Sequence, residues 1–143
     1  MGFAQAMPYL GTGVREIDAG HEGLAFLLAR IFEPGVECQR GNGPCDHSHC
    51  RKLSAMMSFL GRNFAGEAAL MERGDYPYQD SHCDDHLKLV EELKAMQSDR
   101  LCAERDRVVV RQLVDRWAVH HLQACDLPLG RWAITRRVVP PTV

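Results

Sequence analysis

The sequence predicts an all-α chain folded as an antiparallel up-down four-helix bundle, on three observations. Apolar residues recur at steps of three and four in four separate stretches, the period of an amphipathic helix. Pro34-Gly35, Gly43-Pro44, Tyr76-Pro77 and Pro128 punctuate or end those stretches. No stretch shows the two-residue alternation of a half-buried strand, and no segment repeats. Short connections force successive helices to lie side by side, which makes neighbours antiparallel.

The first helix is predicted over about residues 13–33, where Val14, Ile17, His21, Leu24, Leu28 and Ile31 share a face, and Pro34-Gly35 ends it. Residues 34–44 are rich in Gly and Pro and carry no period, so they read as a loop. The second helix begins between His47 and Cys50 and aligns Leu53, Met56, Leu60, Asn63, Glu67 and Leu70. Gly74 stops it as a glycine just past the helix end. Pro77 suits the first turn of a third helix, which carries His82, His86, Leu89, Leu93 and Met96 to about Gln97. A fourth helix follows the polar stretch 98–106. It shows Val110, Leu113, Val114, Trp117, His121 and Ala124, and Pro128 is expected to break it.

A chain of 143 residues is one domain, 1–143, and at that size it buries roughly two-thirds of its unfolded surface. Seventeen Lys and Arg against nineteen Asp and Glu give a net charge of -2, with no basic block beyond pairs such as Arg136-Arg137. That balance excludes nucleic acid as the main partner. No apolar run approaches the roughly 20 residues of a membrane span. The opening Met1 to Ala6 has neither a basic nor an apolar leader region, so a cytoplasmic location is expected. In a reducing compartment the six cysteines read as thiols or metal ligands before disulfides.

The inward faces carry an unusual load. His21, Asn63, Glu67, His82, His86 and His121 occupy positions that bundles normally fill with Leu and Val. Buried polar groups cost several kcal/mol unless paired, so this many need a common partner, and a metal centre supplies one. His82 and His86, one helical turn apart, can bind a single ion, and Asn63 and Glu67 repeat that step on the neighbouring helix. Asp126 follows His121 by five residues, which swings it about 500°, or 140° net, at roughly 3.6 residues per turn. It joins the set only if the helix loosens there. Nitrogen-rich ligation with two carboxylates suits iron, manganese or zinc. His120 reads as a surface histidine.

Five blocks of residues resemble the bacterial hemerythrins: Thr12-Gly13-Val14 to Ile17-Asp18-Ala19-Gly20-His21; Asn63-Phe64 to Glu67 with Leu70-Met71; Tyr76-Pro77; His82-x3-His86; and Trp117-x3-His121-x4-Asp126. They fall in the family's order over about residues 12–132. The resemblance implies a bundle around a non-haem di-iron centre that binds dioxygen reversibly. It would place His82, His86 and His121 on the first iron and His21 on the second, with Glu67 and Asp126 bridging.

The chain departs from that pattern at Asn63, where the family has a second histidine for the second iron. An amide oxygen is a far poorer ligand than imidazole. That position then takes water, the Asn63 oxygen or a carboxylate such as Glu22, or is partly filled. Gly20 and Ala68 stand where the family usually has Gln and Glu. The connection between the first two helices is longer than the family's, an insertion over about residues 34–50 that holds Cys38, Cys45, His47, His49 and Cys50. Cys45, His47, His49 and Cys50 suffice in number for zinc, but their spacing fits no standard site. A polar loop with reduced thiols and a Cys38–Cys45 or Cys38–Cys50 disulfide are the other readings. Cys83, Cys102 and Cys125 read as small core or surface residues.

The expected function is a non-haem di-iron protein that binds dioxygen, or another small diatomic or peroxide ligand, for storage, delivery or sensing. Trp117 and Leu113 would wall a dry pocket before His121, a place they also fit as plain core. A di-metal redox enzyme acting on peroxide or nitric oxide is the alternative, since an open metal position admits such molecules. A metal-responsive structural module is the third reading.

Overall fold

The computed structural model describes residues 2–32, 47–98 and 101–139, and no strand occurs among them. The helices are α1 (Phe3–Ala6), α2 (Arg15–Arg30), α3 (Ser48–Arg73), α4 (Gln79–Ser98), α5 (Glu104–His121) and α6 (Leu127–Thr135). A short 3-10 turn, Met7–Tyr9, follows α1, and a single π turn, Leu122–Asp126, joins α5 to α6. The architecture is an all-helical bundle. Helices α2 and α3, α3 and α4, α4 and α5, and α2 and α5 pack as neighbours.

Helix α2 starts two residues later than the periodicity suggests because Gly13 sits at φ +80°, outside helical space. Asp18 Oδ1 accepts hydrogen bonds from the Thr12 backbone N–H at 2.9 Å and the Thr12 hydroxyl at 2.7 Å. The Thr12 hydroxyl oxygen in turn accepts from the Val14 N–H at 3.1 Å. This turn satisfies the Val14 N–H, one of the donors that a helix start leaves open. Helix α1 was not foreseen from the periodicity. Its Phe3 is buried, and the Phe3 N–H donates to Asp115 Oδ1 of α5 at 2.9 Å.

Gly74 ends α3 as expected, but for a different reason. Its φ is −111°, and the left-handed residue is Asp75, at φ 54°. A Cβ at position 74 would lie 2.3 Å from the Trp132 ring, so Gly74 is there for the close packing of α6. The break expected at Pro128 is also corrected, because the chain stays helical through it. The π turn ends one helical frame at Asp126, and Pro128 falls in the first turn of the next, where its missing N–H costs nothing. Ala124, expected inward, is exposed on that turn.

Two apolar clusters form the core. The larger contains Leu24, Leu28, Leu53, Leu60, Leu93 and Val114, and the smaller contains Val14, Ile17, Leu70, Met71, Leu129 and Ala133. Each fully buried Leu, Ile, Val or Met among them contributes about 1.5–3 kcal/mol. On α2, His21 falls between members of the two clusters; Glu67 does so on α3. The polar set therefore sits as a layer between two dry layers. Among the described residues no helix is long and apolar enough to cross a membrane.

Candidate metal centre

Four helices and the π turn deliver the polar layer. His82 and His86 come from successive turns of α4, Glu67 from α3, His121 from the last turn of α5, His21 from α2 and Asp126 from the π turn. All six are buried. Glu67, His82, His86, His121 and Asp126 each present one ligand atom within 4.8 Å of all the others.

The contacts run through the ring Nε2 atoms. His86 Nε2 lies 2.9 Å from His121 Nε2. His82 Nε2 lies 3.0 Å from Glu67 Oε1 and 3.2 Å from Asp126 Oδ1. His121 Nε2 lies 3.0 Å from Asp126 Oδ1, and His86 Nε2 lies 3.5 Å from Glu67 Oε1. On the far side His21 Nε2 meets Asp126 Oδ2 at 2.6 Å. Asp126 thus faces His82 and His121 with one oxygen and His21 with the other, the disposition a bridging carboxylate needs.

These separations fit a metal ion. Ligands about 2.1 Å from one ion stand roughly 3.0 Å apart when they are cis in an octahedron and somewhat farther apart in a tetrahedron. Asp126 Oδ1 is buried with no well-aligned hydrogen bond although the ring nitrogens of His82 and His121 lie close to it. An ion among those three atoms would satisfy it. This buried His, Glu and Asp cluster can hold a metal ion.

Neighbouring side chains fix the imidazoles. Phe64 stacks on His86 with centroids 3.7 Å apart and planes 6° from parallel, and Trp117 stacks on His121 at 4.4 Å and 13°. Phe3 meets His21 edge-on at 5.8 Å. Asp85 Oδ2 lies 2.6 Å from His121 Nδ1. A proton held on that nitrogen leaves the Nε2 lone pair for an ion, as carboxylates commonly arrange for ligand histidines. Asp85 was not singled out in the sequence; its signal is an acid three residues after His82 and one before His86.

The electrostatics follow from this crowding. Burial opposes a charge on His121, but hydrogen bonds to Asp126, Cys125 and Asp85 outweigh it and push the pKa up to about 11. Burial likewise opposes the charge on His82, and hydrogen bonds to Asp126 and Glu67 raise it to about 9. Desolvation dominates at His86, whose pKa is lowered. Burial disfavours ionised Asp126, yet hydrogen bonds from His121, His21 and His82 hold it well below the usual carboxylate range.

The remaining candidates stand outside that five-residue group. Asn63 is half-buried beside Gly20, whose missing side chain makes room for the amide: a Cβ there would stand 3.2 Å from Asn63 Cγ. Glu22 and His120 are exposed. Trp117 lines the cavity at the centre, whereas Leu113 packs against the larger core cluster and is not part of that wall. Cys38 and Cys45 lie outside the described residues. His47 is exposed, whereas His49 is buried with its ring 5.9 Å from that of Phe32. Among the described residues His47, His49 and Cys50 join no group of three ligands. Cys83 and Cys125 are half-buried thiols.

Access to the centre is through a cavity of about 310 Å³ between α2 and α3, with Gly20, His21, Asn63, Glu67, His121 and Asp126 among its lining. No protein-family model, curated protein or solved structure matches the chain.

Proposed function

We propose that this protein is a non-haem di-iron, hemerythrin-like protein that binds dioxygen for storage, delivery or sensing. The observation that carries the reading is the buried convergence of three Nε2 atoms with Glu67 and Asp126, the latter turned also toward His21. Helix order adds support for an antiparallel up-down bundle: α2 meets the smaller core cluster first, α3 the larger first and α4 the smaller first, through Cys83, while α5 lies along the larger before α6 reaches the smaller.

In this reading His82, His86 and His121 would hold one iron and His21 the second, with Glu67 and Asp126 as the carboxylates available to both. A ferrous pair, when bound, would supply reversible two-electron chemistry toward dioxygen. The chain supplies the environment. Leu60, Leu24 and Phe3 wall the centre with apolar surface, which limits water and slows proton-assisted loss of bound ligand. Asp85 holds His121 in one orientation, and the Phe64 and Trp117 rings block rotation of His86 and His121.

Oxygen uptake by the anaerobically reduced, iron-loaded chain tests this. Uptake that saturates and reverses under argon is the expected result. Continuous consumption of peroxide or nitric oxide would favour the redox-enzyme alternative, for which the opening at Asn63 is the specific support. A colourless protein with zinc alone would favour a structural module.

A further inference from the structure

A second hollow lies where the ends of α3 and α6 meet, and apart from Arg73 it shares no lining residue with the cavity at the centre. Its volume is about 780 Å³, within the range of small-molecule sites. Three exposed arginines line it: Arg73 from the last turn of α3, and Arg136 and Arg137, the basic pair visible in the sequence, at the end of α6. Asp75 is the one acid among the described residues of that lining.

The fold leaves these charges unused. Among the described residues the guanidiniums of Arg73, Arg136 and Arg137 make no hydrogen bond or ion pair. Arginines near a helix C-terminus often bond its last carbonyls. Here backbone N–H groups do so instead: Tyr76 donates to Met71 O at 2.9 Å and Asp75 to Glu72 O at 3.4 Å, while Val138 donates to Ala133 O at 2.8 Å and Arg137 to Ile134 O at 3.0 Å. Each turn carries a left-handed residue, Asp75 at φ 54° and Arg137 at φ 57°. Glycine is the usual occupant of such a position, so Arg137 keeps a guanidinium at the hollow where the turn alone favours no side chain.

Charge and shape together select a phosphate ester. Three guanidiniums against one carboxylate leave two positive charges, which match a phosphate monoester near its dianionic state at neutral pH. A phosphate offers three acceptor oxygens to these planar donor forks, whereas a carboxylate offers two and a single charge. Asp75 can only accept hydrogen bonds and has no side-chain partner among the described residues, which suits a ligand hydroxyl. Trp132, half-buried in the wall and met edge-on by the Tyr76 ring at 4.8 Å, offers indole surface to a flat ring.

We propose that this hollow binds a nucleoside monophosphate, with its phosphate among Arg73, Arg136 and Arg137, a ribose hydroxyl donating to Asp75 and its base against Trp132. The site stands apart from the di-iron reading and requires no metal.

Calorimetric titration of the full chain with adenosine monophosphate, adenosine and inorganic phosphate tests it. The nucleotide should bind about tenfold more tightly than either part alone. Arg137→Gly, which removes the guanidinium and keeps the left-handed turn, should weaken nucleotide binding about tenfold without lowering the melting temperature. Arg136→Ala, at an exposed helix end, should weaken it similarly, so the test stands if one variant folds poorly. Adenosine binding should be unchanged in both. Equal affinity for the nucleotide and inorganic phosphate, or variants that bind the nucleotide as the unmodified chain does, overturns the proposal. So does a chain that binds a polyglutamate peptide and not the nucleotide, which would make the hollow a docking site for an acidic protein segment.

Discussion

His121 Nε2 and Asp126 Oδ1 stand 3.0 Å apart although five residues separate them in the chain. In an uninterrupted α-helix that spacing points the two side chains about 140° apart. The π turn Leu122–Asp126 absorbs the extra residue and returns Asp126 to the face of His121. Single π turns of this kind often occur at functional sites.

That relationship predicts opposite effects of length changes. Deleting exposed Gln123 converts the five-residue step into a four-residue step on the same face, so metal content should be retained. Inserting one Ala after Gln123 rotates Asp126 by about 100° and should strip the metal. Elemental analysis of the two variants checks this; equal metal content in both would contradict it.

His86→Ala should remove one ion per chain and, with it, the stability that binding adds. At free metal a thousandfold above its Kd, that contribution is about 4 kcal/mol. Thermal unfolding with and without chelator measures it. A variant with full metal content and an unchanged melting temperature would remove His86 from the ligand set.

Much of this was legible in the sequence, for identifiable reasons. His82 and His86 share a face by the i, i+4 rule alone, and Glu67 and His21 fall on inward positions of strongly periodic helices. Asp126 needed a local departure from α geometry, which periodicity cannot display. Pro128 misled because proline forbids a helix interior but not a helix start. Gly74 likewise reads as a left-handed stop, whereas its role depends on Trp132, a contact between residues far apart in the chain. Helix α1 is too short to show a period; Asp115 and the cover over His21 hold it in place.

Metal uptake should release protons. In the metal-free protein His82, at about 9, and His121, at about 11, are protonated at neutral pH. An ion must displace both, so about two protons should appear per ion bound at pH 7.5 in weakly buffered solution. No proton release would contradict the protonated state of the empty cluster.

The same shifts set the stability of the metal-free chain. Both histidines are raised above the unfolded value of 6.5, so their contribution is full below that pH and fades as pH rises through 9 and 11. Asp126 is depressed, so its contribution is present at neutral pH and lost on strong acidification. The chelated protein should therefore melt at a lower temperature at pH 10 than at pH 7. An unchanged melting temperature would show that the cluster does not hold these protons.

Asn63→His should strengthen the second metal position, since the i, i+4 step to Glu67 aims the new imidazole at the site and Gly20 leaves space beside it. The unmodified chain should hold between one and two irons and oxidise readily, and the variant should approach two. An unmodified chain with two tightly held irons and stable oxygen binding would show that another group fills that place.

Anomalous X-ray scattering from iron-loaded crystals tests the central claim most directly. The account predicts a strong iron peak among His82, His86 and His121 and a weaker one roughly 3.5–4 Å away beside His21, with Glu67 and Asp126 between them. A zinc edge in place of iron, or a single peak away from these residues, would contradict it.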